Sequence, residues 1–218
     1  MTTSARVMAL CARGVAIGLL AIVVSACSRT VTWEEEVPLN TGETIWIERT
    51  MPWAMEGGFG NPFDFALRPA REQTIRFAYR GTEYRYVGRA NVRWIAIAPT
   101  KTPLLVFKAG DFAWDVQNQF LCVVPHYVQL IPDGAGKHWT WPNRIDSWLY
   151  HMPANVMASI PSLDEKQRKY TAKDKLDRDA VYRLQVPEAV TIDPSYKGNG
   201  CLHELDVGPR KGQDRSTK

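Results

Sequence analysis

The chain has 218 residues, with 27 lysines and arginines against 23 aspartates and glutamates, a formal net charge of +4. A surplus this small, with the bases scattered among acids, leaves no electrostatic footprint for nucleic acid, and no such partner is expected. The length suffices for one domain with a proper core, and eight tryptophans among many β-branched residues favour strands over helices.

The N-terminus comes first in chain order. Arg6 and Arg13 form a positive region, and no acid occurs before Glu34. Gly14 to Val24 is an apolar run, only about half the roughly 20 residues a spanning helix needs. Small residues follow, then a cysteine, in Val24-Ser25-Ala26-Cys27. This order of parts is the signal-peptide pattern. It resembles the lipobox of bacterial lipoproteins, with Val24 where that class usually has Leu. The resemblance covers residues 1–28 alone, and no family is recognised in residues 29–218. It implies a leader at 1–26 that is removed, and a new first residue, Cys27, carrying acyl chains of the palmitate type. Ser28, in place of Asp, resembles the sorting pattern of the Gram-negative outer membrane. The implied localisation is the outer membrane, on its periplasmic face. Each buried methylene contributes roughly 0.8 kcal/mol, and stable anchoring takes at least two chains.

Without the leader, 25 basic residues stand against 23 acidic ones, a formal charge of +2. Of the four cysteines, Cys11 lies in the leader and Cys27 is the lipid site. The remaining two, Cys122 and Cys201, form an even pair in an exported domain and read as a disulfide. Such a crosslink closes a loop of about 80 residues and contributes roughly 4–5 kcal/mol in the chain-entropy picture.

Residues 27–42 read as a tether, with Glu34-Glu35-Glu36 as a solvated charge run, before a single β-rich domain at 43–207. Glu43 to Arg49 alternates, with Ile45 and Ile47 on one face and Trp46 and Glu48 on the other. Glycines and prolines make 51–71 irregular. Thr74 to Arg80 places Ile75, Phe77 and Tyr79 on one face, Gly81-Thr82 turns, and Glu83 to Val87 alternates again, a β-hairpin. Arg76, Arg80 and Arg85 form a candidate basic stripe on its wet side. Strands are expected at Val92–Ala98, Pro103–Lys108 and Phe120–Ile131, the last disturbed by Pro125. Asn143 caps a short helix bearing Ile145, Trp148, Leu149 and Met152. Ser162-Leu163-Asp164-Glu165 reads as a capping box opening a polar helix. Ala180 to Val186 returns to strand character, and 208–218 is a polar tail expected to be disordered. The predicted fold is mainly β: an antiparallel sandwich or partly open barrel with one or two short helices, with α+β as the alternative.

The search for chemistry returns little. Gly134-Ala-Gly-Lys137-His138 lacks the spacing and the hydroxyl of a phosphate loop. No nucleophile elbow or zinc-protease motif occurs. His126, His138, His151 and His203 share no close ligand spacing, although three of them with Glu204 or Asp206 would suffice for zinc. Asp111 with Asp115 is the best carboxylate pair for hydrolysis. No catalytic residue, metal or cofactor is assigned. The aromatic segment Trp139, Trp141, Trp148 and Tyr150 is the candidate binding surface, since tryptophans exposed there stack on sugars or anchor protein interfaces. The expected function is a non-enzymatic, lipid-anchored protein that binds another envelope protein. A peptidoglycan- or glycan-binding module is the alternative, and a hydrolase with an unfamiliar site is a third reading.

Overall fold

A computed structural model describes residues 29–58, 61–70, 72–109, 123–142 and 144–197, without side chains at 56–58 and 61–66. Its fold is mainly β, in two sheets, with one helix of seven residues as the longest among the described residues. The first sheet comprises β1 (Arg29–Pro38), β2 (Thr44–Gly58), β3 (Asn61–Pro69), β4 (Gln73–Tyr79), β5 (Thr82–Gly88) and β10 (Lys169–Tyr170). Their order is β10-β1-β2-β4-β5, with β3 pairing the far half of β2. The second sheet is β6 (Val92–Ile97), β7 (Pro103–Lys108), β8 (Tyr127–Pro132) and β9 (Trp139–Thr140), in chain order. Among the described residues every strand pairing is antiparallel except β1 with β10.

The β4–β5 hairpin forms as its alternation requires: Ile75, Phe77 and Tyr79 are buried, and Arg76 and Ala78 face outward. The turn falls one residue earlier than predicted. Arg80 and Gly81 have φ of 49° and 79°, the two positive values of a type I′ turn, whose twist matches that of the strands.

Six expectations are corrected. Most of the presumed tether, 29–38, is β1 itself, with Val31, Trp33, Glu35 and Val37 buried on the inner face. The Glu34–Glu36 run is therefore no solvated edge throughout, since Glu35 is fully buried. The stretch 51–71 is strand over most of its length: β2 continues through Pro52, opposite Thr30, to Gly58, and β3 returns along it. The Ser162 capping box opens no helix: Glu165 accepts from the Ser162 N–H at 3.2 Å, but the segment makes only a turn, and the same carboxylate is also held by Arg178 and the Tyr170 hydroxyl. The box is used at Thr171 and Asp174 instead, opening α1 (Ala172–Arg178). Ala180 to Val186 forms not a strand but α2 (Ala180–Gln185), started at Asp179. The Asn143 helix shrinks to a 3-10 turn at Ser147–Leu149 that buries Leu149 beside Ile145.

Three apolar clusters fill the interior among the described residues. The first joins Val37, Ile47, Ile75 and Phe77 of one sheet to Ile95, Leu105 and Val128 of the other. The second lies on the far side of the smaller sheet, where Trp94, Val106 and Tyr127 meet Ile145, Leu149 and Ile192. Covered on both faces, β6 is buried along its whole length, a pattern more usual in parallel sheets. Its free edge is closed by side-chain amides. Asn40 and Asn155 bond both the N–H and the carbonyl of Ile97 and Ile95 respectively. An edge so occupied cannot recruit another strand. The third cluster packs Val31, Trp33 and Met51 under Met157 and Tyr170.

Between the first and third clusters lies a buried polar network. Arg49 Nη1 donates to Glu35 Oε1 at 3.0 Å and to the Met157 carbonyl at 2.8 Å, and Nη2 donates to Gln73 at 2.8 Å. Glu35 Oε2 accepts from the Met157 N–H at 2.7 Å and pairs with Lys175 at 3.3 Å. The Arg49 guanidinium also lies 4.9 Å from the centre of the Trp33 ring. Burial holds the Lys175 ammonium below its ordinary pKa, against the pull of Glu35. Deleting one member of a buried pair strands the other charge, at a cost of about 3–5 kcal/mol. Glu35→Gln should therefore lower unfolding stability by that order in chemical denaturation, whereas Glu34→Gln, on the wet face, should change it by under about 1 kcal/mol. Equal effects would show that the network carries no special weight.

The two sheets also meet at the β8–β9 turn, the Gly134–His138 stretch with a superficial likeness to a phosphate loop. Asp133 Oδ1 accepts from the N–H groups of Lys137 and His138, and these bonds hold its carboxyl below the usual range. The turn presents the Gly136 carbonyl to the Arg85 N–H at 2.9 Å, so it satisfies part of the β5 edge. Gly136 has φ of 70°, and a Cβ there would stand 2.8 Å from the Glu83 carbonyl. Strain and collision coincide, so Gly136→Ala should destabilise by about 1–3 kcal/mol, read as a lower denaturant midpoint. A neutral result would mean that this turn can detach from β5 freely.

Candidate functional site

The outward face of the larger sheet carries a row of charges set by strand register. Lys169, Glu34, Glu48, Arg76 and Arg85 are successive cross-strand neighbours on β10, β1, β2, β4 and β5. Two like-charged pairs fall directly opposite each other, Glu34 with Glu48 and Arg76 with Arg85. Juxtapositions of this kind disfavour a sheet unless other partners relieve them. Lys169 relieves Glu34 at 3.2 Å, and Arg76 relieves Glu48 at 3.6 Å. Among the described residues Arg85 has no carboxylate within ion-pair distance, so the row ends in an uncompensated guanidinium. The basic stripe read from the sequence is thus partly assembled. Arg76 and Arg85 stand side by side, whereas Arg80 turns back over the Tyr79 ring and bonds its hydroxyl.

Trp46 stands on the same face, 40% exposed, with the Lys169 ammonium 4.2 Å from its ring centre. It lines a depression of about 620 Å³ together with Arg76, Tyr84, Arg85 and Lys137. Trp46 was visible in the sequence only as an outward residue of an alternating strand. The signal it offered was a large aromatic at a position predicted to be wet.

Lys137 also lines the adjoining groove, of about 400 Å³, which contains Trp139 and Trp141. Both indoles are half-buried against the first core cluster. Trp139 Nε1 donates to the Arg85 carbonyl at 2.8 Å, and its ring meets Tyr86 edge-on at 6.3 Å. Burial pushes the Tyr86 hydroxyl up to about 12, and Arg89 and Lys137 bring positive charge to the same groove. The predicted aromatic surface is divided. Trp139 and Trp141 share one groove, Trp148 borders a different hollow beside Tyr79 and Pro99, and Tyr150 packs on the second core cluster.

Other candidate residues are scattered. His126 is buried, whereas His138 and His151 are exposed. Among the described residues no three His, Cys, Asp or Glu side chains converge as metal ligands would. Cys27, Cys122, Cys201, Asp111, Asp115, His203, Glu204 and Asp206 lie outside the described residues, as does the expected tail at 208–218. Among the described residues no helix is long and apolar enough to cross a membrane. No protein family, curated protein or solved structure matches this chain.

Proposed function

We propose that this chain is a non-enzymatic, lipid-anchored envelope protein, held at the outer membrane through Cys27, that docks a partner protein on the outward face of its larger sheet. The observation that supports it best is the adjacent pair Arg76 and Arg85 beside the exposed Trp46. Tryptophan, arginine and tyrosine dominate binding energy at interfaces, and this face combines all three around one depression. Its charges are mixed, with three carboxylates and four cations lining the depression. Such mixing suits recognition of one oriented protein surface better than a general polyanion. The uncompensated Arg85 selects a partner that brings a carboxylate to that end of the row.

A glycan reading is favoured by one specific observation, the shared groove of Trp139 and Trp141 next to the same face. Both readings call for a surface that begins at Trp46 and passes Lys137.

Two outcomes are expected. Expressed in a Gram-negative host, the wild-type chain should fractionate with the outer membrane and carry acyl mass, and Cys27→Ser should lose that mass. A wild type without acyl mass removes the anchor from the proposal. A photoreactive residue at position 46 should give a discrete protein adduct in cells, abolished by Arg85→Glu. The same probe at position 184, which is 85% exposed on α2, should give none. An adduct dissolved by a peptidoglycan hydrolase would assign the face to glycan instead, and equal labelling at both positions would remove the docking face altogether.

A further inference from the structure

Among the described residues the buried charges do not balance. Glu35, Arg49, Arg93, Lys175 and Asp179 are each at most 6% exposed and interact as one group, three cations against two carboxylates. An uncompensated charge in a low-dielectric interior is costly, and proteins supply it with a partner. The two carboxylates are already committed. Glu35 is bonded by Arg49 and the Met157 N–H. Asp179 accepts from the Ala158 and Ser159 N–H groups and the Ser159 hydroxyl, at 2.6, 3.1 and 2.8 Å. Lys175 donates to the Asn155 carbonyl as well as pairing with Glu35.

The surplus falls on Arg93. It is the extra residue of a β-bulge, since Val92 pairs with Phe107 and Trp94 with Val106. Bulges re-aim a side chain, and they cluster beside functional sites. Arg93 stands 3.7 Å from Asp179, too far for a hydrogen bond, with its guanidinium stacked 5.2 Å from the Tyr182 ring centre. Among the described residues neither Nε nor Nη1 has a hydrogen-bond acceptor. Buried donors are almost always paired, so a guanidinium without a hydrogen-bonded acceptor marks a place where one is needed, through Nη2 together with either neighbour.

Arg93 lines a cavity of about 100 Å³ that also reaches Lys175 and Arg183, with the Asp179 carboxylate and Asn155 in the same wall; Asp179 is the carboxylate already held by the Ala158 and Ser159 N–H groups. Much of the remaining wall is apolar, formed by Val156, Met157 and Leu176, with Leu176 half-exposed at the rim. We propose that this cavity is a binding site for a small monocarboxylate, its head on the Arg93 fork and its short alkyl chain against Val156, Met157 and Leu176. Three features select that chemistry. One surplus positive charge calls for a monoanion. Guanidinium presents two parallel donors that match a carboxylate. The apolar wall penalises phosphate or sulfate, which expose polar oxygens on every side, and the volume is smaller than the roughly 150 Å³ that admits benzene.

Calorimetric titration of the full chain tests the assignment, with propionate as the probe and propionamide and inorganic phosphate as controls at matched ionic strength. Propionate should bind saturably with one site per chain, phosphate should bind far more weakly, and propionamide should not bind. Arg93→Gln should weaken propionate by about tenfold or more, since hydrogen bonds to a charged group are worth roughly 1.5–3 kcal/mol. Should that variant fail to fold, Arg183→Glu at the rim of the cavity carries the test and should weaken binding several-fold. Absence of propionate binding at millimolar concentration, equal affinity for propionamide or phosphate, or unchanged affinity in a folded Arg93→Gln or Arg183→Glu protein each overturns the site.

Discussion

The pairing of Glu35 with Arg49 is the constraint on which the rest of the structure depends. Both side chains point inward from neighbouring strands, at the level where the smaller sheet stops covering the larger one. From there onward the inner face is roofed by the segment from Asn155 to Tyr170. The Met157 backbone contributes both its N–H and its carbonyl to the pair. One ion pair thus fixes where the segment leading to β10 crosses the sheet. That crossing places α1, and α1 places Lys175 and Asp179 beside Arg93. A purely apolar interior would fill the same volume without specifying this register, since hydrophobic contacts have no direction.

The same arrangement explains which parts of the fold were legible in the sequence. The β4–β5 hairpin was readable because one face meets the core and the other meets solvent, giving clean alternation from Ile75 to Tyr79. β1 alternates equally well, as Val31, Trp33, Glu35 and Val37. Its third inward residue is a carboxylate, however, and a glutamate in a run of three reads as wet. Its burial depends on Arg49, fourteen residues away, and no local pattern contains that information. β2 and β3 were hidden by Pro52, Gly57 and Pro69, residues that usually interrupt strands and here lie near irregular or terminal positions of a ladder. Ala180 to Val186 has the apolar residues of a strand but forms a helix. Val181 and Leu184 in fact stand exposed on a short helix, with no core to set their period.

For the candidate surface, the sequence offered ingredients without their arrangement. Arg76 and Arg85 were recognisable as wet-side residues, but Glu48 and Glu34 convert the expected stripe into a row of mixed sign. That row exists only because β1 and β10 join the hairpin's sheet on its far side. Trp139 and Trp141 were conspicuous, and their half-buried setting follows from the β8–β9 turn docking against β5. Arg93 offered no signal at all. Its position looks like one more alternating residue until the bulge in β6 is known.

The position of β1 has a mechanical consequence. Strand pairing begins at Arg29, which sits opposite Trp53. If Cys27 carries the acyl chains proposed above, only Ser28 would separate the anchor from the sheet, a span of about 7 Å at full extension. The domain would be bolted to the lipid surface rather than leashed to it, with the Arg29 end of β1 and the middle of β2 against the headgroups. Its orientation would be restricted and its reach would not exceed its own dimensions. Any partner would then have to approach within the first few nanometres of the bilayer, and would meet the charged row already turned at a fixed angle to the membrane plane.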